Sequence, residues 1–216
     1  MKTQLSVTKS IYRYSDMIYK DHPQEMVKVS DRRLASNAFT KLQSLFFEQK
    51  PKDNHDYVQI YGRYNNERIY KWFRKDYLAN AENFDKYKVI LPKANGSGAI
   101  GEVLSTPLIG EPLIVKPLIG HTETFISIGA FDNELEAKNV LKYIKTKVCR
   151  TMLGILKTTQ DNPAEKWAKV PMQDFTANSE IDWSKSISEI DQQLYKKYGF
   201  DDKEIAFIEE KVRAME

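Results

Sequence analysis

The chain has 216 residues, 41% of them hydrophobic and 29% charged, with a net charge of +3, an ordinary composition for a folded protein and not a disordered one. Its longest apolar stretch, 107–120, is broken by three prolines, a lysine and a glutamate, far from the ~18 uncharged residues of a membrane span. The single cysteine, Cys149, excludes an intrachain disulfide and fits a reducing cytoplasm, and residues 1–16 lack the apolar core of a secretory signal.

The net charge hides an asymmetry. Residues 174–216 carry 11 acidic and 6 basic side chains, whereas residues 1–173 carry 27 basic and 19 acidic ones. A basic body with an acidic tail suits a polyanion partner, and equally an ordinary solvated surface.

In chain order, Leu5, Val7, Ile11, Tyr14, Ile18 and Tyr19 fall at helical spacing, so residues 4–20 read as an N-terminal helix that stops before Pro23. Met26 to Val29 reads as a short strand. From Asp31 to Phe47 local propensity permits either a helix or an exposed basic loop carrying Arg32 and Arg33. Residues 57–63 and 67–73 alternate apolar and polar on either side of Tyr64-Asn65-Asn66, and Asn tolerates positive φ, so a tight hairpin is predicted there. One hairpin face offers Val58, Ile60, Ile69 and Phe73. The other offers Tyr57, Tyr61, Arg63, Tyr70 and Trp72, whose rings could stack on bases but more often pack across strands.

A central strand, Tyr87 to Leu91, stops at Pro92 and opens into Lys93-Ala94-Asn95-Gly96-Ser97-Gly98. This loop has one cation, small polar side chains and glycines that let backbone approach a ligand. The repeated PLIG at 107–110 and 117–120 reads as extended chain at a sheet edge. His121-Thr122-Glu123-Thr124 reads as a polar loop or strand start, since no second His or Cys ligand stands at a useful spacing. A second apolar run, Phe125 to Ile128, ends at Gly129. Asp132 or Asn133 then caps one long helix reaching about Thr159, with Leu135, Val140, Leu141, Ile144, Val148, Met152, Ile155 and Leu156 on its apolar face. Cys149 belongs to that face as a buried thiol. Trp167 with Val170-Pro171 reads as a return strand. The tail reads as a helical hairpin, its first helix ending at Gly199 and its second capped by Asp201 or Asp202. The fold class is therefore α+β: a mixed or antiparallel sheet, a long covering helix and a C-terminal helical hairpin. The organisation expected is a body, 1–175, and an acidic helical tail, 176–216.

Motifs for chemistry are missing. Gly96-Ser97-Gly98 matches neither the G-x-x-x-x-G-K-[ST] nor the G-x-G-x-x-G phosphate loop. The amino-methyltransferase motif [DNS]-P-P-[YFW] is absent, and Asp161-Asn162-Pro163-Ala164 lacks its second proline and its aromatic. Asp132 with Glu136 and Lys138 has the letters of a Mg²⁺ nuclease site, but on a helix where a strand is wanted.

Several stretches carry a resemblance: 88–98 (KVILPKANGSG), 121–131 (HTETFISIGAF), 136–163, 167–175 (WAKVPMQDF) and 194–209, with 29–39 (VSDRRLASNAF) more weakly. Together they resemble the TaqI-like C-terminal target recognition region of restriction–modification adenine-specific DNA methyltransferases, which is related in plan to the type I specificity subunits. The resemblance implies a module that reads double-stranded DNA in the cytoplasm. It implies no catalysis and no cofactor in this chain alone, the methylase and its S-adenosylmethionine being supplied by an upstream domain or a partner subunit. Arg and Lys would meet phosphates, and Asn, Ser, Thr or Arg would meet base edges. The residues singled out are Arg32, Arg33, Arg63, Tyr64, Lys93, Asn95, Ser97 and Thr122. The competing readings are a protein-interaction scaffold docking through the acidic tail, and a nuclease fragment using Asp132, Glu136 and Lys138.

Overall fold

The computed structural model describes residues 7–8, 12–95, 108–155 and 164–215. Its strands are β1 (Val7–Thr8), β2 (Tyr57–Tyr64), β3 (Glu67–Arg74), β4 (Tyr87–Pro92), β5 (Leu113–Val115), β6 (Ile119–His121) and β7 (Phe125–Phe131). Its helices are α1 (Asp16–Asp21), α2 (Pro23–Met26), α3 (Ala38–Lys41), α4 (Glu134–Lys145), α5 (Lys147–Ile155), α6 (Ala164–Trp167), α7 (Ile187–Tyr198) and α8 (Asp202–Lys211). The class is α+β. One sheet runs β1-β7-β4-β5 with antiparallel neighbours; the other runs β3-β2-β6, where β2 pairs antiparallel with β3 and parallel with β6.

The predicted hairpin forms. Asn65 and Asn66 both adopt positive φ, 49° and 66°, the pair of left-handed residues that a two-residue turn matched to strand twist needs. Its register sets Val58 opposite Phe73 and Tyr61 opposite Tyr70. Val58, Ile60 and Phe73 are buried with Phe39, Leu42, Phe46 and Tyr14 under the N-terminal segments. The other face is partly covered too: Tyr61 packs with Ile90, Val115 and Phe125 of the four-stranded sheet. Most hairpin aromatics are thus packing, as the cross-strand alternative holds. Lys71 is buried despite its charge, with its ammonium 4.2 Å from the Tyr64 ring centre.

The central strand forms as β4, and the second apolar run extends past Gly129 to Phe131. Gly129 does not end the strand. It sits inside β7 at φ +78°, where the register against β4 slips, and a Cβ there would run into the Phe131 ring. The N-terminal helix starts only at Asp16. Tyr12 and Tyr14 are buried and Arg13 is exposed, a period of two that marks extended chain bridging to Arg33 and Leu78. Met26 ends a helical turn opened by Pro23 and does not start a strand. The 31–47 alternatives divide: Asp31 to Asn37 is loop, and α3 follows. Trp167 closes the single turn α6 rather than entering a strand.

The long covering helix is two helices. Thr146 is extended at φ −61° and ψ 150°. Its Oγ1 accepts the Cys149 N–H at 3.1 Å, which caps α5, and the Asp191 carboxylate of α7 accepts the N–H groups of Lys147 and Val148 at 3.0 Å each. Asn133 caps α4 as read, accepting the Glu136 N–H at 2.9 Å. Helices α4 and α5 bury Val140, Ile144, Cys149 and Leu153 against Val89, Leu91 and Ile128 of the four-stranded sheet, while Leu135 and Ile155 are exposed. Ile190, Leu194 and Tyr195 of α7 and Ile208 of α8 enter the same core. The tail helices form where the caps predicted them, each with a capping box, and Gly199 at φ +65° terminates α7.

Candidate nucleic-acid interface

At the turn end of the hairpin, one open cleft of about 770 Å³ collects side chains from four segments. The hairpin gives Arg63, Tyr64, Asn65, Asn66 and Arg68; α3 and its approach give Asn37 and Thr40; the end of β4 gives Lys93; the turn before β7 gives Glu123 and Thr124. The register explains the first group. Arg63 and Arg68 are paired directly across the two strands, so two guanidinium groups stand side by side on one face. Such a like-charged pair destabilises a bare hairpin. Arg63 donates to Asn66 Oδ1 at 3.0 Å, and Arg68 lies 5.9 Å over the Phe125 ring. Both are exposed, as is Lys93, and none of the three has a carboxylate within ion-pair distance among the described residues. Lys93 is fixed through its backbone, its N–H donating to the Thr124 carbonyl at 2.9 Å. Tyr64 is held half-buried by the Lys71 ammonium beneath its ring and by Gln43, which donates to its hydroxyl at 3.4 Å.

The cleft's acid is engaged. Glu123 accepts from Arg33 Nη1 at 2.7 Å, and Arg33 also grips Asp31. Those hydrogen bonds hold the Asp31 carboxyl below its usual range. Arg33 therefore quiets the wall's one carboxylate.

The residues singled out in the sequence separate into groups. Arg63, Tyr64 and Lys93 meet in the cleft, and half-buried Asn95 follows two residues after Lys93. Arg32 is tied elsewhere, paired with Asp16 at 2.5 Å and resting over Tyr19. Thr122 is corrected as a surface contact. It is only 1% exposed, its hydroxyl donates to Thr124 Oγ1 and its N–H to the Tyr61 carbonyl, so Thr124 takes its place at the wall. Ser97, with Gly96 and Gly98, lies outside the described residues. Asn37 and Thr40 were missed as contacts, and nothing local in the sequence marks either; Arg68, one of the hairpin cations, joins the cleft because the register pairs it with Arg63.

Neither a protein-family model nor a curated protein sequence matches the chain.

A buried polar chain joins β6, β7 and the 79–86 connector. Tyr12 Oη donates to Asn83 Oδ1 at 2.9 Å, Asn83 Nδ2 donates to Ser127 Oγ at 3.0 Å, and His121 Nε2 lies 3.0 Å from that Oγ. His121 Nδ1 faces the Thr122 carbonyl at 2.9 Å, which can only accept, so the proton sits on Nδ1 and Nε2 accepts from Ser127. Burial pushes the His121 pKa down to about 4, with Lys88 adding to the effect. Burial likewise takes Lys88 down to about 8, its ammonium donating to the Asn83 and Lys86 carbonyls. Ser127 and His121 are the letters of a nucleophile and base, but each is fully used in joining β6, β7 and the 79–86 connector. Asp132, Glu136 and Lys138 are engaged separately, with Lys86, Asn133 and Glu134. Among the described residues no group of three His, Cys, Asp or Glu could hold a metal ion.

Proposed function

We propose that the chain is a double-stranded DNA recognition module. On this reading the cleft at the hairpin end meets the duplex, and an adenine-N6 methyltransferase domain, in cis or as a partner subunit, performs the chemistry with its own S-adenosylmethionine. One observation carries it: the facing pair Arg63–Arg68 with Lys93 around a single cleft, three exposed cations without a carboxylate partner among the described residues. Phosphates would relieve their mutual repulsion. Two-stranded ribbons fit a major groove, and Asn65 and Asn66 at the turn, with Asn37 and Thr40 beside them, bring donors and acceptors suited to base edges. The resemblance noted in the sequence supports the same reading.

The test is duplex binding by fluorescence anisotropy, with a site selected from a random pool and a scrambled control. Arg68→Ala lowers affinity for both duplexes alike and reduces the slope of log K against log salt by about 1. The double change Asn65→Gly with Asn66→Gly keeps the positive-φ turn while deleting both amides. It costs about tenfold on the selected site and little on the control. Failure to enrich any site, or equal loss on both duplexes for the double change, rejects base reading by this turn.

A further inference from the structure

A second open cavity, of about 630 Å³, lies where α4, α5 and α7 meet and has no part in the proposed DNA interface. Five cations contribute to its wall: Lys142, Lys145, Lys147, Arg150 and Lys185. Arg150 decides the reading. It is only 2% exposed, and its Nε–H is spent on the Lys145 and Thr146 carbonyls at 3.1 and 3.3 Å. Its Nη2 is buried with no hydrogen-bond partner among the described residues. A buried donor without a hydrogen bond is costly, the Asp191 carboxylate offsets the Arg150 charge only through space, and an oxygen reaching Nη2 would remove that cost.

The surrounding charges favour an anion of limited size. Lys142 is spent on the Trp183 and Lys185 carbonyls, which leaves its charge uncancelled, and exposed Lys185 has no carboxylate within ion-pair distance among the described residues. Ser186, Ile187 and Ser188 line the cavity at the positive end of the 12-residue helix α7. Asp191 is the opposing carboxylate, already committed to the N–H groups of α5. Lys145 and Lys147 are paired with Glu111 and Glu209, whose exposed carboxylates would repel an extended polyanion. The rest of the wall is apolar, with Leu141, Ile187 and Met215 all partly open.

We propose that this cavity binds a small amphipathic organic anion. Its carboxylate or phosphate head sits against Arg150, Lys142, Lys185 and the start of α7, and its apolar body lies along Leu141, Ile187 and Met215. The volume is that of a small-molecule pocket.

Calorimetric titration of the full chain tests this with four compounds: octanoate, octyl phosphate, octanol and inorganic phosphate. The two amphiphiles bind, and octanol and inorganic phosphate each bind at least about tenfold more weakly. The stronger amphiphile identifies the head group. Arg150→Gln weakens the amphiphiles by about tenfold and Lys185→Ala by roughly threefold, with circular dichroism confirming the fold of each. If Arg150→Gln does not fold, the surface change Lys185→Ala decides alone. Octanol binding as tightly as octanoate, wild-type affinity in both variants, or no saturable binding at millimolar amphiphile overturns the proposal.

Discussion

At the scale of single residues, the polar side chains that matter are those whose partners come from far along the chain. His121 gave no sign of its burial in the sequence, because its partner Ser127 lies on another strand and Asn83 comes from a connector. Its surroundings set a pH dependence. The folded pKa, near 4, lies below the ordinary value of 6.5, so the unfolded chain takes up the proton first. Stability is therefore full above about pH 6.5 and falls as pH drops toward 4; this single group removes about 2 kcal/mol between pH 7 and pH 5. Urea unfolding at both pH values reads it. The His121→Gln chain, weaker at pH 7, shows a drop smaller by about that amount. An identical drop in both chains removes His121 as the source. Asp191 acts in the opposite sense, since burial raises its carboxyl to about 6, which is why the comparison must be made against the His121 variant.

At the scale of elements, what was legible in the sequence was what neighbouring residues dictate. The Asn65-Asn66 turn, the Asn133 cap, and the Gly199 stop and Asp201 cap each rest on contacts within a few residues, and all formed where read. The break at Thr146 was not legible. No proline or glycine marks it, and apolar periodicity continues across it from Ile144 to Val148. What makes the break is Asp191, 44 residues from Lys147, presenting a carboxylate to the start of α5. Gly129 misled in the other direction: a glycine after an apolar run reads as a strand end, yet here it permits a bulge within the strand. Two changes test these points by thermal melting. Thr146→Ala removes the local cap and costs about 1 kcal/mol. Gly129→Ala forces a side chain into positive φ and into the Phe131 ring, and costs more, about 2–4 kcal/mol. A neutral Gly129→Ala would mean that Phe131 moves aside freely.

At the scale of the whole molecule, the cleft exists because two sheets share a small core. Tyr61 and Phe125 pack as tilted rings 4.8 Å apart between centroids, which sets the hairpin end beside the β4 end and so brings Arg63 near Lys93. Sequence reasoning named Arg63, Tyr64 and Lys93 by residue type, but only tertiary pairing joins them and diverts Arg32 and Arg33 to carboxylates. The acidic tail shows the same dependence. Ile190, Leu194, Tyr195 and Ile208 fill the core against α4 and α5, and Asp191 caps α5. Burying side chains of this size is worth roughly 1.5–3 kcal/mol each, so four together approach the 5–15 kcal/mol that holds an ordinary domain folded. Ending the chain after Phe175 would also expose Val140, Ile144 and Val148 and leave the N–H groups of Lys147 and Val148 without their acceptor. The 1–175 fragment is therefore expected to lose its cooperative thermal transition, and with it the cleft that lies far from the deleted residues in sequence. A fragment that melts cooperatively within about 5 °C of the full chain, and keeps its dispersed amide spectrum, would show that the two sheets and α3 carry the fold without the tail.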